Sequence, residues 1–158
     1  MYFLGIDPGL SEVGFGVVEL VDGAREPKYV DCGIIKTHPD TPFPERLGII
    51  KMDLQEIMKQ YSIKAAAVEE LFFVKNITNG IKVAHARGVI IEGLQSEGIP
   101  ITEFKPSELK SNICGSGSAD KKQVQEMVRR LLNLSALPKP HDAADALALA
   151  ILASRVNH

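Results

Sequence analysis

Four acidic positions scattered along the sequence carry the chemistry: Asp7, one of Glu69 and Glu70, Asp142, and Asp145. Asp7 ends the apolar run YFLGID and enters Pro8-Gly9, so it stands where a strand passes into a turn. Glu69 and Glu70 close a second apolar run, KAAAV; side chains alternate along a strand, so only one of the two can share a face with Asp7. Asp142 and Asp145 are three residues apart in a helical stretch and share one helix face. Each acid also has a plain use, as a turn former, a solvated charge or a partner for a helix dipole. Gathered together, however, four carboxylates repel and raise one another's pKa unless a cation neutralises them. An all-oxygen set selects hard divalent ions such as Mg²⁺ or Mn²⁺. Two such ions about 3.5 to 4 Å apart can activate a water and stabilise the leaving oxygen of a phosphodiester, with no histidine or cysteine nucleophile.

The elements that must position these acids follow from pattern. YFLGID, VGFGVVEL and KYVDCGIIKT are apolar, turn-bounded segments, the last two joined through Asp22-Gly23, and they predict an antiparallel meander. Leu47, Ile50, Leu54, Ile57 and Met58 recur at helical spacing and predict a helix over Glu45 to Gln60. KAAAVEE is a fourth strand. A helix is expected from Thr78 to Glu97, stopped by Gly98 and Pro100, and ITEFK is a fifth strand. The glycine-serine loop CGSGSADKKQ leads into a helix over Gln123 to Leu134 with Ser118 as its cap, and a last helix starts near Pro140. A strand meander followed by alternating strands and helices predicts an α/β fold with a mixed sheet. In such sheets sites gather beyond the carboxyl ends of central strands, here the first and fourth.

The 158 residues, 45% apolar, fit a single domain spanning 1–158 with a real core. No long uncharged stretch suggests a membrane span or signal core, so a soluble, cytoplasmic protein with no membrane partner is expected. Cys32 and Cys114 lie far apart and read as ordinary thiols. The net charge of −2 does not by itself favour nucleic acid, but its distribution leaves room for it. Residues 1–70 hold 7 basic against 12 acidic side chains, whereas residues 71–130 hold 9 against 6 and can present a basic face.

LGIDPGL with GFGVV, AAVEELFFVKN, AHARGV, FKPSELK, GSGSADKKQV and HDAADALALA occur in that order across nearly the whole chain. In this set the sequence resembles the RuvC family of Holliday-junction resolvases. The resemblance implies a ribonuclease H-like fold, a five-stranded mixed β-sheet flanked by α-helices. It implies Asp7, Glu69, Asp142 and Asp145 as catalytic, metal-binding carboxylates, choosing Glu69 over Glu70, with two Mg²⁺ ions per subunit for which Mn²⁺ can substitute. His141 is expected beside this set as a supporting residue. Phe72 matches a position that stacks on an unpaired base. Lys110 and Lys121 match basic positions near the scissile phosphate, and Lys75, Asn76 and Arg87 match other DNA-facing positions. The implied substrate is four-way junction DNA, nicked on two opposed strands to leave 5′-phosphate and 3′-hydroxyl ends. The implied partners are a second copy of the chain and a branch-migration helicase complex of the RuvA and RuvB type. A two-fold dimer suits a junction with two-fold symmetry, and Ile81, Gly88, Val89, Ile91 and Gly93 on the 78–97 helix offer either a surface for it or positions for helix packing within the monomer.

Rival readings are an actin-like ATPase, whose phosphate loop GIDPG with Gly14 and Gly16 resembles, a nuclease of ribosomal RNA precursors, and a junction binder that does not cut. The first needs a second domain, the second leaves Phe72, Lys110 and Lys121 unexplained, and the third leaves the acids without a task.

Overall fold

In the computed structural model, which describes residues 1–71 and 76–157, a three-stranded meander is followed by two helix–strand units and then by three consecutive helices. The strands are β1 (Tyr2–Asp7), β2 (Glu12–Glu19), β3 (Lys28–Lys36), β4 (Ile63–Glu69) and β5 (Ile101–Phe104). The helices are α1 (Phe43–Gln60), α2 (Ile77–Ser96), α3 (Pro106–Cys114), α4 (Lys121–Leu131) and α5 (His141–Val156). The sheet order is β3-β2-β1-β4-β5; β1, β2 and β3 are antiparallel neighbours, and β4 runs parallel to both β1 and β5. The meander, the mixed sheet and the central pairing of the first and fourth strands are those the sequence predicts.

Strand alternation divides the core into two layers. Phe3, Val18, Ala65 and Ala67 face α3, α4 and α5, while Leu4, Ile6, Val17, Ala66 and Val68 face α1 and α2. α5 is buried along almost its whole length, from Ala143 to Ser154, because its many alanines let it lie close against the sheet on one side and beneath α3 and α4 on the other. Glycines permit that approach. A Cβ on Gly5 would overlap the Ala146 carbonyl oxygen, one on Gly14 would overlap the Asp142 carbonyl, and one on Gly16 would lie 2.7 Å from the Leu147 nitrogen.

Two elements differ from the sequence reading. PSELKSNIC is a helix, α3, opened by Pro106 in its first turn and by Glu108, whose carboxylate accepts from the Lys105 backbone N–H at 3.0 Å. Its nine residues are too few for helical periodicity to stand out. Ser118 does not cap α4: Asp120 does, accepting from the Gln123 N–H at 2.8 Å, while Gln123 accepts from the Asp120 N–H in return. An acid paired with a glutamine three residues on satisfies two otherwise orphaned donors, so it outcompetes the single hydroxyl. Ser118 and Ser116 bond each other instead.

Candidate active site

The parallel register of β1 and β4 matches Ile6 with Val68, which puts Asp7 and Glu69 side by side one residue further on. Both lie in phase with the residues facing α5: Phe3 and Gly5 before Asp7, Ala65 and Ala67 before Glu69. Alternation therefore directs both carboxylates to the α5 layer, and it directs Glu70 elsewhere. Glu70 lines a separate pocket with Leu71, Arg87 and Glu103. The first turn of α5 completes the group. Gly14 is the β2 partner of Asp7, and the Asp142 backbone rests on it, so Asp142 and Asp145 come down onto the strand ends.

The electrostatics register this convergence. Burial, followed by the charge of Glu69, a hydrogen bond to Glu69, the charge of Asp145 and a hydrogen bond to Asp142, pushes the Asp7 carboxyl up to about 10. Burial, then Glu69 and Asp142, raise Asp145 to about 7 against the opposing pull of Lys121 and Lys110. Glu69 is also raised, chiefly by burial, while the Asp7 hydrogen bond and Lys110 act the other way. Within the pair, the mutual hydrogen bond raises Asp7 and lowers Glu69. Among the described residues, no three histidine, cysteine or acidic groups already converge as a ready ligand set. The donor chemistry nonetheless fits a hard cation: the four carboxylates are half-buried, and the crowding that raises Asp7 and Asp145 is a repulsion that positive charge would relieve.

Lys110, half-buried on α3, and Lys121, the first residue of α4, both act on Glu69 and Asp145. Two lysines from separate helices thus flank the acids. His141 is exposed at the start of α5 and lines a pocket with Gln125, Lys139 and Pro140. Asn76 caps α2, accepting from the Asn79 N–H at 3.2 Å. Phe72 and Lys75 lie outside the described residues.

Arg87 has a task the sequence does not announce. Its Nε donates to the Glu69 carbonyl oxygen at 3.0 Å and its Nη2 to Glu103 Oε1 at 2.8 Å, so it ties the end of β4 to β5. The other unforeseen feature is the glycine seat. Gly14 and Gly16 alternate within one strand, and strand-interior glycine signals a close backbone approach; here the approaching backbone is α5, not a nucleotide phosphate.

The family model for crossover junction endodeoxyribonuclease RuvC matches residues 3–153. A protein of that name from Roseiflexus sp. (strain RS-1) is 47% identical over 148 residues, covering 94% of this chain and 87% of the relative. Another from Thermotoga petrophila is 45% identical over 150 residues, covering 95% and 90%. The solved structure of Thermus thermophilus RuvC superposes with a TM-score of 0.87 at 34% identity over 96% of this chain and 92% of that one. T. thermophilus RuvC in complex with Holliday junction substrate gives 0.88 at 36% identity, covering 96% and 91%. The fold is accordingly ribonuclease H-like, as the sequence resemblance implies.

Proposed function

The chain belongs to the RuvC family of crossover junction endodeoxyribonucleases, and from that premise we propose that it resolves four-way DNA junctions in recombination and repair. It nicks two opposed strands and leaves 5′-phosphate and 3′-hydroxyl ends. The observation that carries this reading is the meeting of Asp7 and Glu69 at one end of the β1–β4 pair with Asp142 and Asp145 of α5, where burial raises the carboxyl pKa of Asp7, Glu69 and Asp145.

Asp7, Glu69, Asp142 and Asp145 hold divalent cations, Mg²⁺ by preference and two per subunit, with Mn²⁺ able to substitute. When bound, such ions supply neutralisation of the phosphate charge and a water acidic enough to attack near neutral pH. The chain's own part is preorganisation. β1 and β4 fix two carboxylates at adjacent register positions, α5 fixes two more, and Arg87 holds the Glu69 backbone. Lys110 and Lys121 offset negative charge where the phosphate backbone approaches, and Phe72, Lys75 and Asn76 are the further DNA-binding residues. His141 supports the α5 acids from outside the ligand set.

A second copy of the chain serves the second strand, because a two-fold enzyme matches a two-fold substrate. α2 divides its apolar residues between two uses. Gly93 is turned inward, where a Cβ would meet Leu54 Cδ2 at 3.1 Å, so it belongs to monomer packing. Ile81 is 51% exposed and lines an open groove with Leu47, Ala84, His85, Gly88 and Val89, which fits the dimer surface. A branch-migration helicase complex of the RuvA and RuvB type is the expected further partner, and the cytoplasm the expected site of action; among the described residues no helix is long and apolar enough to cross a membrane.

The test compares labelled four-way junction, linear duplex and structured RNA, each with and without Mg²⁺. Paired nicks confined to the junction and requiring the cation are expected. Trimming of RNA, or a retarded but uncut junction, would overturn the assignment.

A further inference from the structure

Arg46 is a buried cation without an anion. It is only 7% exposed, yet among the described residues no carboxylate pairs with it. Its Nε donates to Thr37 Oγ1 at 2.9 Å and its Nη2 to Ser11 Oγ at 2.8 Å, so neutral hydroxyls are its partners. No fully buried side-chain nitrogen or oxygen among the described residues lacks a hydrogen-bond partner. Nη1, for which no bond is formed, is therefore within reach of solvent. Beside it lies a pocket of about 370 Å³ lined by Ser11, Arg46, Asn79 and Lys82, with Leu10 and Val83 on its apolar wall and no acidic side chain in its lining.

The position of Arg46 sharpens the imbalance. Its N–H makes the first backbone bond of α1, to the Pro42 carbonyl at 3.1 Å, so the guanidinium sits at the positive end of that helix, where cations are disfavoured. Asn79 belongs to the first turn of α2, which carries no acidic residue, so a second positive helix end meets the same pocket. Glu45, the acid of α1's first turn, does not line it. A buried, unpaired charge is held at an energetic cost, and that cost is relieved when an anion arrives.

We propose that this pocket grips one non-scissile phosphate of the substrate strand through Arg46 and Lys82, setting the register of the DNA on the carboxylates. The assignment rests on the junction-cutting reading above. Ser11 is four residues beyond Asp7, so even a fully extended chain separates them by at most about 14 Å. At a rise of about 3.4 Å per nucleotide, the phosphate held there is a few positions from the bond that is cut. With Nε and Nη2 held by the two hydroxyls, Nη1 is the end of the guanidinium left to donate to a phosphate oxygen, and Lys82 adds a point charge to the same pocket.

The experiment measures junction binding in EDTA across a salt series, and scans one strand with single neutral methylphosphonate linkages. Lys82→Gln should lower the slope of log K against log salt by about 1. For the wild type, one neutral linkage a few nucleotides from the cut should weaken binding, and Lys82→Gln and Arg46→Gln should lose that penalty. A wild type that cuts junctions, together with a Lys82→Gln slope equal to its own and no position-specific penalty, overturns the pocket while leaving the resolvase reading intact. A wild type that neither binds nor cuts junctions overturns both. If Arg46→Gln does not fold, the Lys82→Gln slope and the linkage scan decide alone. Inorganic phosphate titrated without DNA separates the sources: saturable binding lost in Lys82→Gln, with a flat linkage scan, assigns the pocket to free phosphate and overturns the DNA assignment.

Discussion

The backbone of Asp142 rests on Gly14, the β2 residue paired with Asp7, so closely that no side chain fits between them. This contact sets the height of α5's first turn above the strand ends and with it the distance from Asp142 and Asp145 to Asp7. Gly14→Ala should therefore damage activity beyond its effect on the fold, and Gly16→Ala, one turn further along α5, should act more on stability. A loss of about 1 to 3 kcal/mol is expected for either, from overpacking, measured by urea unfolding. Gly14→Ala should also cut junctions at least tenfold more slowly at temperatures where it is fully folded. Unchanged cleavage in a folded Gly14→Ala protein would remove the contact from the positioning of the acids.

Asp7→Asn should abolish cutting while leaving junction binding in place. A reduction of at least about 10²-fold is expected, by comparison with the loss of a key electrostatic group in other active sites. Electrophoretic retardation should show an unchanged dissociation constant. Loss of binding with cleavage chemistry retained would contradict the role assigned to this carboxylate.

Stability of the cation-free protein should fall as pH rises. Asp145 moves from an ordinary 3.8 to about 7 and Asp7 from 3.8 to about 10, so the native state binds protons more tightly than the unfolded chain. The stabilising protonation is complete below about pH 4 and is lost in two stages, through about 7 and then through about 10. Melting temperature measured in EDTA should decline across that window and flatten in Asp145→Asn for the first stage and in Asp7→Asn for the second. Added Mg²⁺ should restore stability most at high pH, because it displaces protons there least. A flat profile in EDTA would mean that the acids are not crowded in solution.

Lys110 and Lys121 lower the pKa of Glu69 and Asp145, so their removal should move the acid limb of the pH–rate profile to higher pH. Lys110→Gln and Lys121→Gln should each also reduce the salt slope of junction binding by about 1 if the lysine meets a phosphate. A slope change without a shift of the profile would make the lysine a DNA contact only; the reverse would confine it to tuning the carboxylates.

Arg87→Ala should separate positioning from contact with DNA. Two hydrogen bonds, one of them to a carboxylate, tie Glu69 to β5, and their loss should lower stability by about 1 to 3 kcal/mol. Cleavage should slow at saturating junction while the dissociation constant for the junction holds. A weakened dissociation constant with an unchanged rate of cutting would return Arg87 to the DNA surface.

Much of this was legible in the chain because the relevant forces are local. Apolar, turn-bounded runs write the strands, helical spacing writes α1, the stop at Gly98 and Pro100 and the start at Pro140 bound α2 and α5, and the acids at the ends of YFLGID and KAAAVEE mark the carboxyl ends of two neighbouring strands. Residue type alone fixed the chemistry open to them, since oxygen-only groups in a crowded set call for a hard cation. Register was not local. Only the pairing of Ile6 with Val68 chose Glu69 over Glu70 on geometric grounds, because a slip of one residue would have turned Glu70 toward α5 instead. The same holds for Gly14 beneath Asp142, Arg87 against the Glu69 carbonyl, and Arg46 buried against the hydroxyls of Thr37 and Ser11. Each depends on what another part of the chain brings within a few ångströms, and no stretch of sequence carries that information until the sheet closes and α5 is seated on it.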